Sequence, residues 1–136
     1  MTKVKMSTPL GVPAQKVWDL IGGINTVADW HPAVEKSELE QGGTIRKLSL
    51  VGGGEIVEKL TQTDDEGRTY SYSIVSSPLP VAGYNAEIRV TGEGDSCNIE
   101  WSSNFEPNGA SETDATEAIQ GIYQAGFDNL KKMFNM

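Results

Sequence analysis

The sequence contains one histidine, and its neighbours raise the question of whether it takes part in chemistry. His31 lies in the stretch ADWHP, between Trp30 and Pro32. Histidine is the side chain whose unperturbed pKa lies nearest neutrality, so His31 is a candidate general base. The residue before a proline is pushed out of the helical region, however, so His31 is also expected to end a short helix. Both interpretations stay open, and Trp30 is either packing or a stacking platform for a ligand.

A carboxylate and a guanidinium fall on the apolar faces of two predicted strands. Side chains alternate between the two faces of a strand, so Glu58 shares a face with Ile56 in the segment EIVEKL. By the same alternation, Arg46 shares a face with Leu48 in TIRKLSL. Because a charge that faces a core is costly unless it is paired, we expect Arg46 and Glu58 to form an ion pair.

The expected register of this pair follows from the glycines between the two strands. With residues 52–54 as the turn, Leu48 lies opposite Glu58, and Arg46 lies diagonal to Glu58 within reach of a long side chain. A slip of one residue would move both charges to the outer face. Two roles stay open: the pair braces two strands, or it binds a polar group of a ligand or supplies acid/base catalysis.

Aromatic residues with polar tips recur on one face of the later strands. Buried tyrosine and tryptophan are ordinarily core residues whose polar tips find a partner. In a protein with a cavity, the same hydroxyls would point at a ligand. The predicted inner face comprises Tyr70, Tyr72, Ile74, Tyr84, Ala86, Ile88, Val90, Ile99, Trp101, Ser103 and Phe105.

The elements that position these residues follow from the spacing of apolar side chains. TKVKMST alternates as a strand does, and VPAQKVWDLIGGI then changes to helical spacing until residues 22–23 end the helix. NTVADW predicts a second short helix with Asn25 as its N-cap. Six strand segments follow between Val34 and Phe105, and SETDATEAIQGIYQAGFDNLKKMF predicts a long final helix. The helical spacing of the first helix rests on Val17, Leu20, Ile21 and Ile24.

Several glycines predict local conformation. Residues 65–67 fit a hairpin loop with Gly67 in the left-handed position, and residues 93–95, Glu93 to Asp95, predict another tight turn. Gly126 lies within the apolar stripe of the final helix, which predicts a close approach to the sheet. Residues 52–54 predict a flexible hairpin, because neither the Lys-Ser/Thr pair nor the helix start of a phosphate-binding loop follows them.

Composition and charge exclude several classes of protein. The 136 residues fit one domain, and we expect residues 1–136 to form it. A net charge of -8 without a basic cluster argues against nucleic-acid binding and against anionic membranes. Cys97 is the single cysteine and is expected to be a structural thiol, and no zinc-site spacing occurs. No signal peptide or membrane span is recognised, so a cytoplasmic protein without cofactor or metal, monomeric or weakly dimeric, is expected.

The order of strand, two short helices, six strands and one long helix resembles the START-type, or helix-grip (SRPBCC), superfamily. Local motifs narrow the resemblance to its polyketide cyclase/dehydrase-like branch, over roughly residues 3–132. These motifs are VPAQKVWDLIGGINTVADWHPAVEKSELE, TIRKLSL, GGGEIVEKL, RTYSYSIVSSPLPVAGYNAEIRV and IEWSSNF. The resemblance implies an α+β fold in which a seven-stranded curved antiparallel sheet wraps around the long C-terminal helix.

The resemblance also implies a cavity between sheet and helix that holds a mostly apolar small molecule. The short helices would cover one end of it, and the loop of residues 76–84 would be either a gate at its entrance or a stiff connector. The expected ligand-binding residues are Trp30, His31, Arg46, Glu58, Tyr70, Tyr72, Tyr84, Trp101 and Tyr123.

Three functional hypotheses follow. The first is binding or transport of a small hydrophobic or amphipathic ligand, lipid- or polyketide-like. The second is a polyketide cyclase or dehydratase that uses general acid/base catalysis through Glu58, Arg46, His31 and a tyrosine, which must converge on one bound molecule. The third is a protein-interaction or stress-related module, which an exposed apolar patch around Trp30 and PLPVAGY would favour.

Overall fold

The structure is a computed structural model that describes residues 2–23, 25–92 and 94–134. Two residues named above, Ile24 of the helical pattern and Glu93 of the turn, lie outside the described residues. The predicted order of elements is confirmed. It is β1 (Thr2–Leu10), α1 (Ala14–Ile21), α2 (Val27–Trp30), β2 (Val34–Glu40), a 3-10 turn (Gln41–Gly43), β3 (Ile45–Leu50), β4 (Glu55–Asp64), β5 (Thr69–Ser76), β6 (Val81–Thr91), β7 (Cys97–Pro107) and α3 (Glu112–Met133).

The strands form one antiparallel sheet around the final helix. Within the described residues the sheet has seven strands in the order β1-β7-β6-β5-β4-β3-β2, so only the β1–β7 pairing joins strands distant in sequence. The predicted α+β helix-grip fold, a curved sheet with α3 on its concave face, is therefore confirmed. The core lies between that face and α3, because the alternation predicted for β5, β6 and β7 places their apolar residues inward.

The long helix starts where its sequence predicts. The Ser111 hydroxyl accepts a hydrogen bond from the backbone N–H of Asp114 at 3.1 Å, which caps the first turn. Acidic residues occupy the first turn and Lys131 and Lys132 the last, as the helix dipole favours. Ala115, Ile119, Tyr123, Gly126, Phe127 and Leu130 form its buried face.

The two short helices confirm one local prediction and correct another. His31 is extended (φ -100°, ψ 120°) and ends α2, as Pro32 requires. The predicted N-cap, Asn25, is wrong, because the N-cap is Thr26. The Asn25 side chain instead accepts a hydrogen bond from the Ser37 hydroxyl at 2.9 Å. The Thr26 hydroxyl donates a hydrogen bond to the carbonyl of Leu20 at 2.6 Å.

The β4–β5 hairpin also differs from its prediction. Arg68, and not Gly67, has the left-handed backbone (φ 50°). Gly67 contributes differently, because its N–H donates to Asp64 Oδ1 at 3.1 Å and an added Cβ would lie 2.8 Å from Asp64 Oδ2. A larger residue at position 67 would therefore require the Asp64 side chain to move.

The register of β3 and β4 differs by two residues from the expected one. Arg46 pairs directly with Glu58, and Leu48 pairs with Ile56. The turn therefore begins earlier and spans residues 51–54, where the N–H of Leu50 donates to the carbonyl of Gly54 at 3.0 Å. Since two residues are one full period of a strand, the error keeps both charges on the inner face.

Candidate functional site

A cavity of about 190 Å³ lies between the inner face of the sheet and α3. The covering helix α2 closes one side, and every strand except β1 contributes to the wall. The lining residues are Val27, Trp30, His31, Ala33, Val34, Arg46, Leu48, Leu50, Ile56, Glu58, Tyr70, Tyr72, Ile74, Leu79, Tyr84, Trp101, Ile119 and Ile122. Most are apolar or aromatic, which is typical of a pocket for a small organic molecule.

Burial divides this wall into a floor and a rim. The floor is the buried part of the wall, and it comprises Val27, Trp30, His31, Val34, Arg46, Leu48, Ile56, Glu58, Tyr70, Tyr72, Tyr84, Trp101 and Ile119. The rim, which comprises Ala33, Leu50, Ile74, Leu79 and Ile122, is half-buried or exposed. The polar groups therefore lie deep, and the apolar groups surround the opening.

The loops beside the rim have unusual backbones. Gly52, Gly53 and Gly54 all have positive φ angles, between 88° and 105°, which residues other than glycine rarely adopt. An added Cβ on Gly54 would lie 3.8 Å from Pro78 Cγ of the neighbouring β5–β6 loop. That loop is shorter than predicted, because β6 already begins at Val81.

Arg46 and Glu58 form a buried ion pair on the floor. The Nε and Nη2 atoms of Arg46 lie 2.8 Å and 2.7 Å from the same carboxylate oxygen, Oε1 of Glu58. Adjacent strands supply the two residues as direct cross-strand partners, so the sheet itself fixes this geometry. Their side chains are only 2% and 6% exposed, so both charged groups are buried.

Two tyrosine rings hold the guanidinium in place. The Arg46 Cζ atom lies 5.4 Å from the ring centroid of Tyr70 and 5.3 Å from that of Tyr72, within the range of cation–π attraction. Burial opposes the charged form, but interactions with Tyr70 and Glu58 outweigh it, so the pKa of Arg46 lies above its usual range. Arg46 is therefore always charged.

Glu58 experiences two opposed influences. Burial raises the pKa of its carboxyl, and the adjacent Arg46 charge lowers it. The net pKa lies above the ordinary value of 4.5. Because two guanidinium N–H groups contact one oxygen, the ion pair favours the carboxylate form.

A chain of hydrogen-bonded aromatic residues lies behind and beside the pair. Trp101 Nε1 donates to the Tyr72 hydroxyl at 3.0 Å, and the hydroxyls of Tyr84 and Tyr123 form a short hydrogen bond. Tyr123 also stacks on Trp101, with ring centroids 4.2 Å apart. Burial raises the pKa of Tyr72, Tyr84 and Tyr123 above the usual range, so these phenols are neutral at physiological pH.

His31 is held by the backbone on both sides of its ring. The N–H of Ala33 donates to Nδ1 at 3.1 Å, so Nε2 carries the hydrogen and donates to the carbonyl of Ile122 at 2.8 Å. Burial lowers the pKa of His31 below the ordinary 6.5, and the bond to Ile122 opposes this only in part. The neutral ring thus connects α2 to α3, with neither nitrogen directed to a ligand.

A glycine on α3 makes this contact possible. A Cβ on Gly126 would lie 3.0 Å from His31 Cδ2, 3.0 Å from Trp30 Cζ3 and 3.2 Å from Trp101 Cζ3. The predicted close approach is therefore present, and it involves α2 as well as the sheet. Asn129 adds a second connection, because its Nδ2 donates to the carbonyl of Trp30 at 2.7 Å.

The structure brings the predicted site residues to this one cavity, with one exception. Tyr123 does not line the cavity but supports Trp101 and Tyr84 from behind. Sequence reasoning missed Ile119 and Ile122, although they belong to the stripe that predicted the helix. It also missed Leu79, for which the apolar residue between two prolines was the available signal. The binding role of the predicted residues stays a prediction.

In residues 2–23, 25–92 and 94–134, no group of three His, Cys, Asp or Glu side chains is placed to hold a metal ion. Across those same residues, none of the helices has the length and apolar character needed to cross a bilayer.

Comparison with known proteins assigns the family. The family model described as "Polyketide cyclase / dehydrase and lipid transport" matches residues 1–135. The chain belongs to this family. No curated protein has a significant sequence match to this family member.

Several solved structures are similar to this chain. The protein XoxI from Bacillus cereus has 35% identity and a TM-score of 0.95, with 98% of this chain and 96% of that chain covered. A protein from Bacillus thuringiensis has 34% identity and a TM-score of 0.95, with 99% and 100% covered. A START superfamily protein from Mycobacterium smegmatis has 8% identity and a TM-score of 0.81, with 98% and 97% covered, and so shows the fold alone.

Proposed function

We propose that this family member binds a small, mostly apolar molecule in the cavity between sheet and α3. The observation that carries the proposal is the wall itself: a largely apolar, aromatic enclosure with a few convergent polar groups on its floor. A protein that binds no ligand would be more stable with this space filled by side chains, because an empty apolar cavity loses dispersion contacts.

A cyclase or dehydratase is the second candidate, because Glu58 and Arg46 lie in the same cavity as Tyr72 and Tyr84. Catalysis would require a group free to take a proton from the substrate. His31 does not supply one, since both ring nitrogens are bonded to the backbone. Glu58 and the tyrosine phenols remain as acid/base groups, and the enzyme hypothesis predicts that Glu58→Gln abolishes turnover. We favour the binding hypothesis, because the wall is mostly apolar and Arg46 already engages the Glu58 carboxylate.

An interaction module has less support. An exposed apolar patch around Trp30 and PLPVAGY would favour it, but Trp30 is only 1% exposed, and within residues 78–84 only Pro78, Ala82 and Gly83 are exposed. We further propose that residues 1–136 act as one ligand-binding domain in the cytoplasm, monomeric or weakly dimeric. The net charge of -8 supports the additional proposal that this domain does not bind nucleic acid.

Native mass spectrometry of the purified protein tests the proposal, together with displacement of an environment-sensitive hydrophobic dye by small aromatic compounds. Saturable dye binding with one site per chain is expected. Ile74→Trp fills the rim from the inner face of β5 and should abolish dye binding.

The matched control is Val75→Trp, the next residue on the same strand, whose side chain is 61% exposed. Adding an equally large ring there should leave dye binding unchanged. Equal loss in both variants, or dye binding that survives Ile74→Trp, would contradict binding in this cavity.

A further inference from the structure

The charges that line the cavity sum to zero. Among its lining residues, Arg46 and Glu58 neutralise one another at 2.7 Å, and His31 donates and accepts hydrogen bonds as a neutral ring. Tyr70, Tyr72 and Tyr84 contribute phenols, and the other lining residues carry no ionisable group. The floor thus carries polar groups without a net charge.

This neutrality sets a rule for what can enter. A cation placed on the floor would be attracted by Glu58 and repelled by Arg46, and an anion would meet the reverse, because the two charges lie within hydrogen-bond distance of one another. Either ion would lose its hydration in an apolar enclosure without gaining an unpaired counter-charge. An uncharged molecule avoids this cost.

The size of the cavity sets a second rule. Protein cavities of about 150 Å³ admit a guest the size of benzene, whereas pockets for drug-sized ligands measure about 300–1,000 Å³. At about 190 Å³ the present cavity holds one six-membered ring with a short substituent. A longer ligand would have to extend through the apolar rim.

The distribution of polarity sets a third rule, which concerns orientation. Both bonds from Arg46 to Glu58 end on Oε1, so the second carboxylate oxygen, Oε2, remains available, and a carboxylate only accepts hydrogen bonds. The rim residues Leu50, Leu79 and Ile122 are apolar. A ligand would therefore place a hydrogen-bond donor on the floor and its apolar part towards the opening.

We propose that the ligand of the binding function described above is an uncharged molecule of single-ring size that carries one hydroxyl donor, directed at Glu58. This inference rests on the proposed function and adds to it the charge, size and orientation of the ligand.

Four probes of similar size test the proposal: benzyl alcohol, toluene, benzoate and benzylammonium, titrated calorimetrically into the protein at pH 7. Benzyl alcohol should bind most tightly. Toluene, which lacks the donor, should bind about tenfold more weakly, as loss of one hydrogen bond to a charged group implies. Benzoate and benzylammonium should each bind at least thirtyfold more weakly than the alcohol.

The Glu58→Gln variant should change the order of the probe affinities in a defined direction. Glu58→Gln leaves the Arg46 charge uncompensated, so benzoate should gain at least tenfold relative to benzyl alcohol, while benzylammonium should weaken further. Glu55→Gln is the matched control, because Glu55 lies on the same strand but is exposed to solvent. Its order of affinities should equal that of the original chain. If Glu58→Gln does not fold, the four affinities of the original chain decide alone.

The outcomes separate this inference from the function on which it rests. Benzoate or benzylammonium binding within threefold of benzyl alcohol overturns the charge rule, and toluene binding as tightly as the alcohol overturns the orientation. If none of the four probes binds while the dye still binds in a manner blocked by Ile74→Trp, the size rule is wrong and the binding function stands. Absence of all binding overturns both.

Discussion

The two sides of the cavity use their buried polar groups in different ways. On the covering side, His31 and Asn129 bond to backbone carbonyls and so fix α2 against α3. On the sheet side, Arg46, Glu58 and Tyr72 interact with other side chains. A bond to a backbone carbonyl positions an element, whereas a side-chain cluster sets the polarity of a surface. Both ring nitrogens of His31 are bonded to the backbone, so the pair of charges is the better candidate for ligand contact.

The largest expected effect is the loss of half of the ion pair. Arg46→Met leaves Glu58 buried without its partner, which should lower the free energy of unfolding by about 3–5 kcal/mol. Replacing both residues, as Arg46→Met with Glu58→Met, should restore most of that stability. Chemical denaturation measures both.

The control for this experiment is Lys47→Met. Lys47 is the neighbouring residue of β3, and its ion pair with Glu40, at 3.2 Å, is solvent-exposed. A change of less than about 1 kcal/mol is expected there. A double variant as unstable as Arg46→Met would show that the pair matters for more than mutual neutralisation.

A second experiment tests the covering side. Gly126→Ala introduces a Cβ 3.0 Å from both His31 and Trp30, so these side chains must shift. This should lower the free energy of unfolding by about 1–3 kcal/mol. Gly121→Ala is the matched control on the same helix, because an added Cβ there has no neighbour within 4 Å. Because alanine favours the helix more than glycine does, that variant should raise the free energy of unfolding by up to about 1 kcal/mol. Thermal unfolding of both variants checks the prediction, which fails if the two changes have the same sign.

The contributions of the two sides to the free energy of unfolding should also change in opposite directions as pH falls. Since burial lowers the pKa of His31, the unfolded chain binds more protons at this residue, and the stability it contributes is complete above pH 6.5 and is lost as pH falls. Burial raises the pKa of Glu58, so its effect has the opposite sign: stability is gained as pH falls towards 4.5.

Unfolding free energies between pH 4.5 and 8 measure these slopes. His31→Gln should flatten the decline below pH 6.5, and Glu58→Gln should steepen the net decline towards pH 4.5. A profile unchanged by His31→Gln would mean that the histidine is not buried as a neutral ring.

The smallest expected effect concerns Asn129. Asn129→Ala removes the hydrogen bond to the Trp30 carbonyl and should destabilise the fold by about 1 kcal/mol. Gln124→Ala, on the same helix, removes an exposed bond to Asp128 at 2.8 Å and should change stability by less than about 0.5 kcal/mol. Equal changes, measured by urea denaturation, would argue that the covering side is not fixed by Asn129.

The sequence predicted the faces of the elements better than their ends. Strand alternation placed Arg46, Glu58 and the tyrosines correctly, because an error of one full strand period in the register does not change the face. The ends depend on contacts between residues distant in sequence. Asn25 is not the N-cap because Ser37 engages its side chain.

The site was predictable to the same extent. Residue types and alternation indicate which side chains face inward, but not how their hydrogen bonds are distributed. The hydrogen bond from His31 to Ile122 joins residues 91 positions apart, and no local sequence pattern predicts it. The position of Tyr123 behind the wall depends likewise on the rotation of α3 against Trp101.

The placement of the indoles gives the molecule an optical signal of its own. Of its three tryptophans, Trp30 and Trp101 lie 5.7 Å apart in the cavity wall. Trp18 lies elsewhere, bonded to Asp65 at 3.3 Å. Filling the cavity therefore changes the surroundings of two emitters and leaves the third as an internal reference. Intrinsic fluorescence can thus follow occupancy in real time, without a label and without altering the chain.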